Sequence, residues 1–478
     1  MKGYTLSSGN FMTADVSPEE AKELLAKAIG ELEGKVEYAD GLYERIDGVS
    51  ICKDKVEERI STPAAANGVV LRAYKLGQWR EASTFDFSVS GLREMSRRLA
   101  QFQPLNRNAV KLKECSPWKT DETLEVKINP PEVGVEEKLE YVRSFYKYVA
   151  NCDKRIINAN INYSDTIQER VFANTEGSLL RQVIPRTSVF IVPIAGESGK
   201  MDYDYLSCGG TVGFEIVKDL EENSLKKTVE SSIELLKASE APSGHFKVIL
   251  DPGMAGTFAH ESFGHGCEAD QILRKRSYLV PYLGKQMGPE TLNICDDGTL
   301  PGGYGSFIFD DEGMKSRKNY ILKDGVLTGF LHERLSASLM NVEPTGNGRR
   351  ESVLRKLFVR MTNTYVEPGD YDLDEMIEEV DYGVMLVHCS SGMEDPLAGG
   401  MELKSKKGYL IEKRKIGAVL SSLTLSEYVP DFIASIDALG KKDQFDMETG
   451  TCGKGYEDNV PVGDGGVYFR AEAVVSQG

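Results

Sequence analysis

The sequence predicts an α+β fold, with an N-terminal mixed α/β domain containing antiparallel strands and a β-rich C-terminal domain. Three observations carry this prediction. Apolar residues recur at helical spacing in a few stretches of the first half, and period-two alternation occupies residues 155–214. Short β-like segments separated by glycines fill most of the second half. Because a mixed first half is followed by a β-rich second half with one main helical insertion, we assign the α+β class.

The first half contains helix signals with β-like runs between them. Ser17 is a helix cap, with Pro18 in the first turn and Glu20 three residues after the cap. Further helices are predicted over residues 91–102, 135–150 and 214–238. Strands are predicted over residues 42–46, 49–52 and 68–74, and an antiparallel meander over 155–214.

A polar segment containing proline and glycine predicts a domain boundary. The N-terminal domain is expected to cover residues 1–238, the linker 239–245 and the C-terminal domain 246–478. The second domain opens with a buried-type strand over residues 246–250, followed by a turn at Asp251-Pro252-Gly253. A helix should follow this turn.

Composition excludes several classes of partner. The chain of 478 residues is 41% hydrophobic and 27% charged, with a net charge of −17, which argues against nucleic acid and anionic membranes. No stretch reaches the ~20 apolar residues of a membrane span. Residues 1–8 lack the apolar core of a secretion signal, and the eight cysteines form no C-x-x-C pair. We expect a cytoplasmic protein that binds neither nucleic acid nor membrane.

The predicted helix carries two histidines and a glutamate. His260 and His265 are five residues apart and Glu261 follows the first, so the run is one residue longer than the H-E-x-x-H metal motif. In a regular helix the extra residue would turn the rings about 140° apart. A π-bulge would restore a common face, and Gly264 tolerates unusual backbone angles there. The motif therefore predicts a metal-binding helix, although an exposed polar helix face would also fit the spacing.

A catalytic zinc site usually has three protein ligands, so a third must come from elsewhere. Cys267 lies two residues past His265 and points to the opposite helix side. Glu268 is better placed, as a ligand or as a partner of a ligand. Cys452 is flanked by glycines and lies near Lys454, which would favour a thiolate. The residues alone leave these alternatives open.

Six blocks in the second half resemble the TldD/PmbA family of zinc metallopeptidases, and specifically its catalytic TldD-type branch. The blocks occur in order at residues 260–266, 296–299, 310–313, 344–351, 361–365 and 450–454. The resemblance implies that His260, His265 and Cys452 bind one Zn²⁺ per subunit and that Glu261 is the catalytic base. It also implies cleavage of unfolded or small peptides by a homodimer, or by a heterodimer with a PmbA-type subunit.

We therefore expect a zinc-dependent peptidase in which Glu261 is the general base for hydrolysis. The alternative is a non-catalytic binding or regulatory subunit of a TldD/PmbA-type complex. An older label of the family, a DNA- or gyrase-associated factor, fits poorly with the acidic charge. A dipeptidyl-peptidase III type enzyme would share only the helix motif.

Other polar groups have weaker signals. Asn347, Arg349 and Arg350 could bind a substrate carbonyl or carboxylate, or could belong to a structural turn with solvated arginines. The acidic run 310–312 is expected to be a solvated turn, because it lacks the spacing of a calcium loop. The remaining histidines, His245, His332 and His388, are expected to be structural.

Overall fold

The computed structural model describes residues 16–62, 67–103, 110–454 and 457–478 and confirms the α+β class. Residues 1–8, which entered the sequence analysis, lie outside these ranges. Within them, no helix is both long and apolar enough to cross a membrane.

The first half is built on a large, mainly antiparallel sheet. Its strands are β1 (Tyr38–Lys53), β2 (Glu58–Ser61), β3 (Gly68–Lys75), β4 (Gln78–Thr84), β5 (Lys119–Thr123), β6 (Ile156–Asn174), β7 (Leu179–Glu197), β8 (Lys200–Tyr203) and β9 (Leu206–Gly210). The order is β4-β3-β1-β6-β7-β5, with β2 beside β1 and both β8 and β9 beside β7. Since β6, β7, β8 and β9 pair antiparallel, the predicted meander is confirmed.

Helices cover this sheet with their apolar sides. They are α1 (Pro18–Gly30), α2 (Val89–Ala100), α3 (Val135–Cys152), α4 (Glu215–Lys218) and α5 (Glu222–Leu235). The Ser17 hydroxyl accepts a hydrogen bond from the Glu20 N–H at 3.3 Å, which confirms the predicted cap. The single helix predicted over residues 214–238 is wrong. The helix α4 ends at Lys218, and Glu221, whose backbone is extended, is the N-cap from which α5 begins.

The second half contains two further large sheets and short helices. Its strands are β10 (Gly244–Leu250), β11 (Ile294–Asp297), β12 (Lys318–Lys323), β13 (Val326–Leu327), β14 (Gly348–Arg349), β15 (Phe358–Val359), β16 (Asn363–Val366), β17 (Tyr382–Glu394), β18 (Gly400–Glu412), β19 (Lys415–Leu420), β20 (Leu423–Tyr428), β21 (Ala438–Leu439), β22 (Asp446–Lys454), β23 (Glu457–Gly466) and β24 (Phe469–Gln477). The helices are α6 (Pro252–Phe258), α7 (Ala269–Leu273), α8 (Arg334–Met340), α9 (Leu373–Glu378) and α10 (Val429–Ala434).

The sheets of the second half surround the start of the predicted metal helix. One sheet has the order β10-β17-β18-β20-β24-β21 and the other β13-β12-β11-β16-β23-β22. As predicted, a turn after β10 begins a helix, because the Asp251 carboxylate accepts a hydrogen bond from the Met254 N–H at 2.8 Å. Phe258 of α6 packs against Phe432 and Phe469 in the core. The helix that leads to the histidines is therefore anchored on both sides.

The acidic run 310–312 is buried, so the prediction of a solvated turn is wrong. Asp310, Asp311 and Glu312 are each 1% exposed. Arginines from the sheet of the first half form ion pairs with them. Arg170 lies 2.7 Å from Asp311, and Arg72 lies 3.0 Å from Glu312. Buried carboxylates require such partners, which a local sequence pattern does not reveal. The run thereby fastens the second half to the first. The proposed domain limits at residues 239–245 stay a prediction.

Candidate metal centre

The two histidines lie on an irregular helical segment that continues α6. Residues Ala259–Gly264 form a π-helical turn, and the His265 N–H donates to the His260 carbonyl five residues back. The extra residue is thus absorbed as predicted, and the two imidazole rings lie 5.0 Å apart between centroids. Both rings therefore face the same space.

Gly264 serves this turn for a different reason from the predicted one. Its backbone angles, φ −56° and ψ −61°, are ordinary helical values. A Cβ at this position would lie 1.8 Å from the Met361 sulfur, which is buried behind the turn. Glycine is needed here for close packing, since the backbone itself is not unusual.

Cys452 of β22 completes a three-residue cluster with the histidines. Its Sγ lies 3.1 Å from His260 Nε2 and 3.3 Å from His265 Nε2. The three donor atoms lie within 4.8 Å of one another. Two imidazole nitrogens and one thiolate are a donor set that suits Zn²⁺ and leaves a coordination position open. The residues present therefore fit a catalytic metal ion.

Each histidine is held by a carboxylate on its other nitrogen. His260 Nδ1 lies 2.6 Å from Asp464 Oδ1, and His265 Nδ1 lies 3.3 Å from Glu268 Oε2. With Nδ1 occupied, Nε2 of each ring is directed at Cys452. Of the two roles considered for Glu268, the geometry fits the partner of a ligand.

Glu268 is in turn fixed by cations. Lys454 Nζ lies 3.0 Å from Glu268 Oε2, and Arg360 Nε lies 3.6 Å from Glu268 Oε1. Burial acts to raise the pKa of Glu268, but Lys454 and His265 lower it to about 2. These cations favour the charged form of Glu268, which can accept a hydrogen bond from His265 Nδ1.

The electrostatics of the cluster favour a thiolate. Burial acts to raise the pKa of Cys452, yet His260 and His265 lower it to about 5. Burial acts to lower the pKa of His265, but Glu268 and Cys452 raise it to about 10. Because a thiolate is the form that binds metal ions, Cys452 is already in that form, whereas the two imidazoles would release their Nε2 protons as an ion binds.

Glu261 projects from the π-helical turn beside the three donors. Its pKa is raised, chiefly by burial, with the two histidines acting in the opposite direction. The backbone of β17 passes close to it, since a Cβ on Gly392 would lie 2.7 Å from Glu261 Cγ. A partly buried carboxylate beside these donor atoms can accept and return a proton.

The other candidate residues contribute no donor atom to the three-residue cluster. Cys267 is fully buried among apolar residues, and burial raises its pKa well above the ordinary value, which disfavours a metal-binding thiolate. Asn347, Arg349 and Arg350 are buried as well. Asn347 donates to Asp296 at 2.7 Å, and the arginines donate to main-chain carbonyls of Pro461 and Arg355, both at 2.7 Å. The structural-turn alternative fits these contacts, except that the arginines are not solvated.

Sequence reasoning did not find Asp464, the partner of His260. It lies on β23, directly opposite Glu448 of β22. The signal available was its run of glycines, because a Cβ on Gly256 of α6 would lie 2.1 Å from the Gly465 nitrogen. Such glycines mark a close approach of two backbones.

Family models match most of the chain. Residues 243–469 match the PmbA/TldA metallopeptidase C-terminal domain, and residues 128–240 match the central domain of the same family.

The chain belongs to the TldD/PmbA family of metallopeptidases.

Relatives of this TldD/PmbA member are named as metalloproteases. A metalloprotease of Methanocaldococcus jannaschii is 39% identical over 73% of this chain and 76% of its own length. A metalloprotease of Methanothermobacter thermautotrophicus is 33% identical over 94% of this chain and 97% of its own length. A metalloprotease TldD homolog of Haemophilus influenzae is 31% identical over 73% and 74%.

Solved structures share the fold at low sequence identity. A candidate modulator of DNA gyrase from Thermotoga maritima superposes with a TM-score of 0.78 at 21% identity, covering 96% of this chain and 100% of that one. TldE from Thermococcus kodakarensis gives 0.75 at 16% identity, covering 95% and 100%. At these identities the likeness concerns the fold alone.

Proposed function

We propose that this protein is a zinc-dependent peptidase that hydrolyses unfolded or small peptides. One Zn²⁺ per subunit is held by His260, His265 and Cys452, and Glu261 is the general base. The observation that carries the proposal is the convergence of two imidazoles and one cysteine sulfur beside a partly buried glutamate. The family's metalloprotease names support a metal ion at this place.

Zn²⁺ at this site would supply Lewis acidity, polarising a peptide carbonyl and making water a stronger acid. Glu261 accepts a proton from the attacking water, whose oxygen forms a bond to the carbonyl carbon. Glu261 then delivers this proton to the amine nitrogen as the carbon–nitrogen bond breaks. Asp464 and Glu268 keep the two imidazoles oriented throughout.

The substrate is proposed to bind in an extended conformation. Among the strands that the structure describes, β22 lies at the end of its six-stranded sheet and carries Cys452. An extended peptide added along such an edge gains main-chain hydrogen bonds with little dependence on its sequence. We further propose that the protein works as a homodimer or with a PmbA-type partner, as the family membership suggests.

The decisive experiment is the substitution Glu261→Gln. We expect full zinc content and a loss of peptide hydrolysis of about 100-fold or more, because the proton carrier is removed while the ligands remain. The matched control is Glu402→Gln, which neutralises a partly exposed glutamate of β18. Zinc is measured by elemental analysis and hydrolysis with casein and short peptides.

Two results would count against this assignment. Full activity in Glu261→Gln would remove Glu261 from the mechanism. A zinc-loaded wild-type protein that cleaves no peptide, alone or with a PmbA-type subunit, would favour the non-catalytic binding or regulatory subunit.

A further inference from the structure

Glu394 is a largely buried carboxylate near the metal centre that the mechanism above does not use. It is the last residue of β17, and the chain turns after it into β18. Gly392 lies two residues earlier and packs against Glu261. Residues two apart on a strand point to the same face of the sheet. Glu394 therefore points to the face that packs on Glu261, roughly 7 Å beyond Gly392 along the strand.

The opposite strand confirms this direction. Glu394 pairs directly with Met401 of β18, and the register from Gly392 to Glu394 is regular. The Ser262 hydroxyl, one residue after Glu261, donates to the Met401 sulfur at 3.4 Å. Since directly paired residues lie on one face of a sheet, the face that carries Glu394 is the one packed on the π-helical turn.

The hairpin after Glu394 is held firmly in place. The Tyr278 N–H donates to the Pro396 carbonyl at 2.8 Å, and the Tyr278 hydroxyl donates to the Ser262 carbonyl at 2.6 Å. Tyr278 thereby links the hairpin to the turn that carries the histidines. The position of Glu394 relative to the metal centre is therefore set by rigid elements.

One carboxylate oxygen of Glu394 lacks the hydrogen-bond partner that a buried oxygen requires. Its Oε2 atom is buried and has no hydrogen-bond partner among the residues that the structure describes. Burial raises the pKa of Glu394 to about 8, with His265 opposing this effect and Glu261 and Glu268 adding to it. A buried polar atom without a partner is costly, and a cation placed beside it would offset that cost.

We propose that Glu394 binds a positively charged nitrogen of the peptide substrate, either its α-ammonium group or a lysine or arginine side chain. This inference rests on the peptidase function proposed above and gives it a preference for cationic peptides. An extended peptide advances about 3.3 Å per residue, so the bound cation lies about two residues from the cleaved bond. Hydrogen bonds to charged groups are the stronger ones, which suits a specificity contact.

The test compares zinc-loaded wild type, Glu394→Gln and Glu402→Gln on matched peptides. Glu402 pairs with Met393 and so lies on the other face of the same hairpin, which makes it a charge-matched control. One peptide pair differs only by acetylation of the N-terminus. A second pair differs only by lysine against norleucine, placed at successive positions around the cleaved bond.

We expect Glu394→Gln to lower kcat/KM for the cationic peptides about tenfold or more, because one charged hydrogen bond is lost. The matched neutral peptides should change less than about twofold, and Glu402→Gln should behave as wild type. The peptide pair that loses its preference identifies the bound nitrogen, α-ammonium or side chain. Zinc content and thermal unfolding are measured for each variant to confirm that the site is intact.

Binding separates this inference from the peptidase proposal. Dissociation constants of the same peptides, carrying a fluorescent label at the C-terminus, are measured by anisotropy. If no peptide is cleaved but cationic peptides bind more tightly through Glu394, the peptidase proposal fails and the subsite stands. An equal loss for cationic and neutral peptides in Glu394→Gln, or no charge preference in wild type by either readout, would overturn the subsite.

Discussion

At the scale of the residue, the candidate metal centre depends on the hydrogen-bond partners of the histidine nitrogens that face away from Cys452. The Nδ1 atoms of His260 and His265 are taken by Asp464 and Glu268, so both Nε2 atoms face the sulfur of Cys452. The neighbouring imidazoles lower the pKa of that thiol against burial. Cys267 lies in an apolar environment that has the opposite effect. The two buried cysteines close to the motif therefore differ in chemistry because of their neighbours.

The contrast between these cysteines gives a direct prediction. Cys452→Ala should lower zinc affinity by about 100-fold, because it removes one of three ligands, whereas Cys267→Ala should retain stoichiometric zinc. Elemental analysis after dialysis against a graded series of chelator concentrations measures both proteins under identical conditions. Equal zinc content in the two variants would overturn the ligand assignment.

At the scale of the element, the π-helical turn packs closely on Met361 because the residue facing that side chain, Gly264, has no Cβ. The predicted bulge exists, and its position follows from the spacing of His260 and His265. What the spacing could not indicate is the surface behind the turn. Met361 follows β15 and is fully buried against Gly264. The geometry of the candidate metal centre is therefore coupled to the segment between β15 and β16, about a hundred residues further along the chain.

Substitution of Gly264 tests this coupling. Gly264→Ala should destabilise the protein by about 1–3 kcal/mol, because the new methyl group overlaps the Met361 sulfur. Gly30→Ala is the control, since a Cβ there meets nothing within 4 Å. Free energies of unfolding come from urea denaturation, and the double variant Gly264→Ala/Met361→Ala should show a favourable coupling energy. If Gly264→Ala is as stable as Gly30→Ala, the packing explanation is wrong.

At the scale of the whole molecule, buried charges join the two halves of the chain. The acidic run 310–312 meets arginines of the first sheet, and a second contact joins His388 of β17 to Asp204, which precedes β9. His388 Nδ1 lies 2.7 Å from Asp204 Oδ1. Burial opposes the charged imidazole, but Asp204 raises the pKa of His388 to about 9 from its usual 6.5.

The His388–Asp204 pair makes stability depend on pH in a defined direction. Because the pKa of His388 is raised in the folded protein, its contribution is complete below pH 6.5 and is lost as pH rises through about 9. At pH 6 the free energy of unfolding of wild type should exceed that of His388→Gln by about 1 kcal/mol. The difference is small because partial exposure of the ring weakens the pair. The difference should approach zero near pH 10. Urea denaturation at both pH values measures it, and an unchanged difference would contradict the assignment.

Local patterns in the sequence were sufficient for much of the fold. The cap at Ser17, the long antiparallel pair β6–β7 and the bulge between the histidines all follow from spacing within a few residues. The failures have different origins. The burial of Asp310, Asp311 and Glu312 depends on arginines supplied by distant strands, and the break between α4 and α5 left no signal in the apolar spacing.

The sequence by itself determined the α+β class and, through the H-E-x-x-G-H run and the ordered blocks, pointed to His260, His265, Glu261 and Cys452. Only the tertiary structure decided that the Cys452 sulfur lies beside rings 187 and 192 residues away, that Asp464 orients His260, and that Glu394 lies on the sheet face packed against the π-helical turn. The physical reason is strand pairing. Periodicity along the chain records which face a residue occupies, but the register between distant strands determines which residues meet.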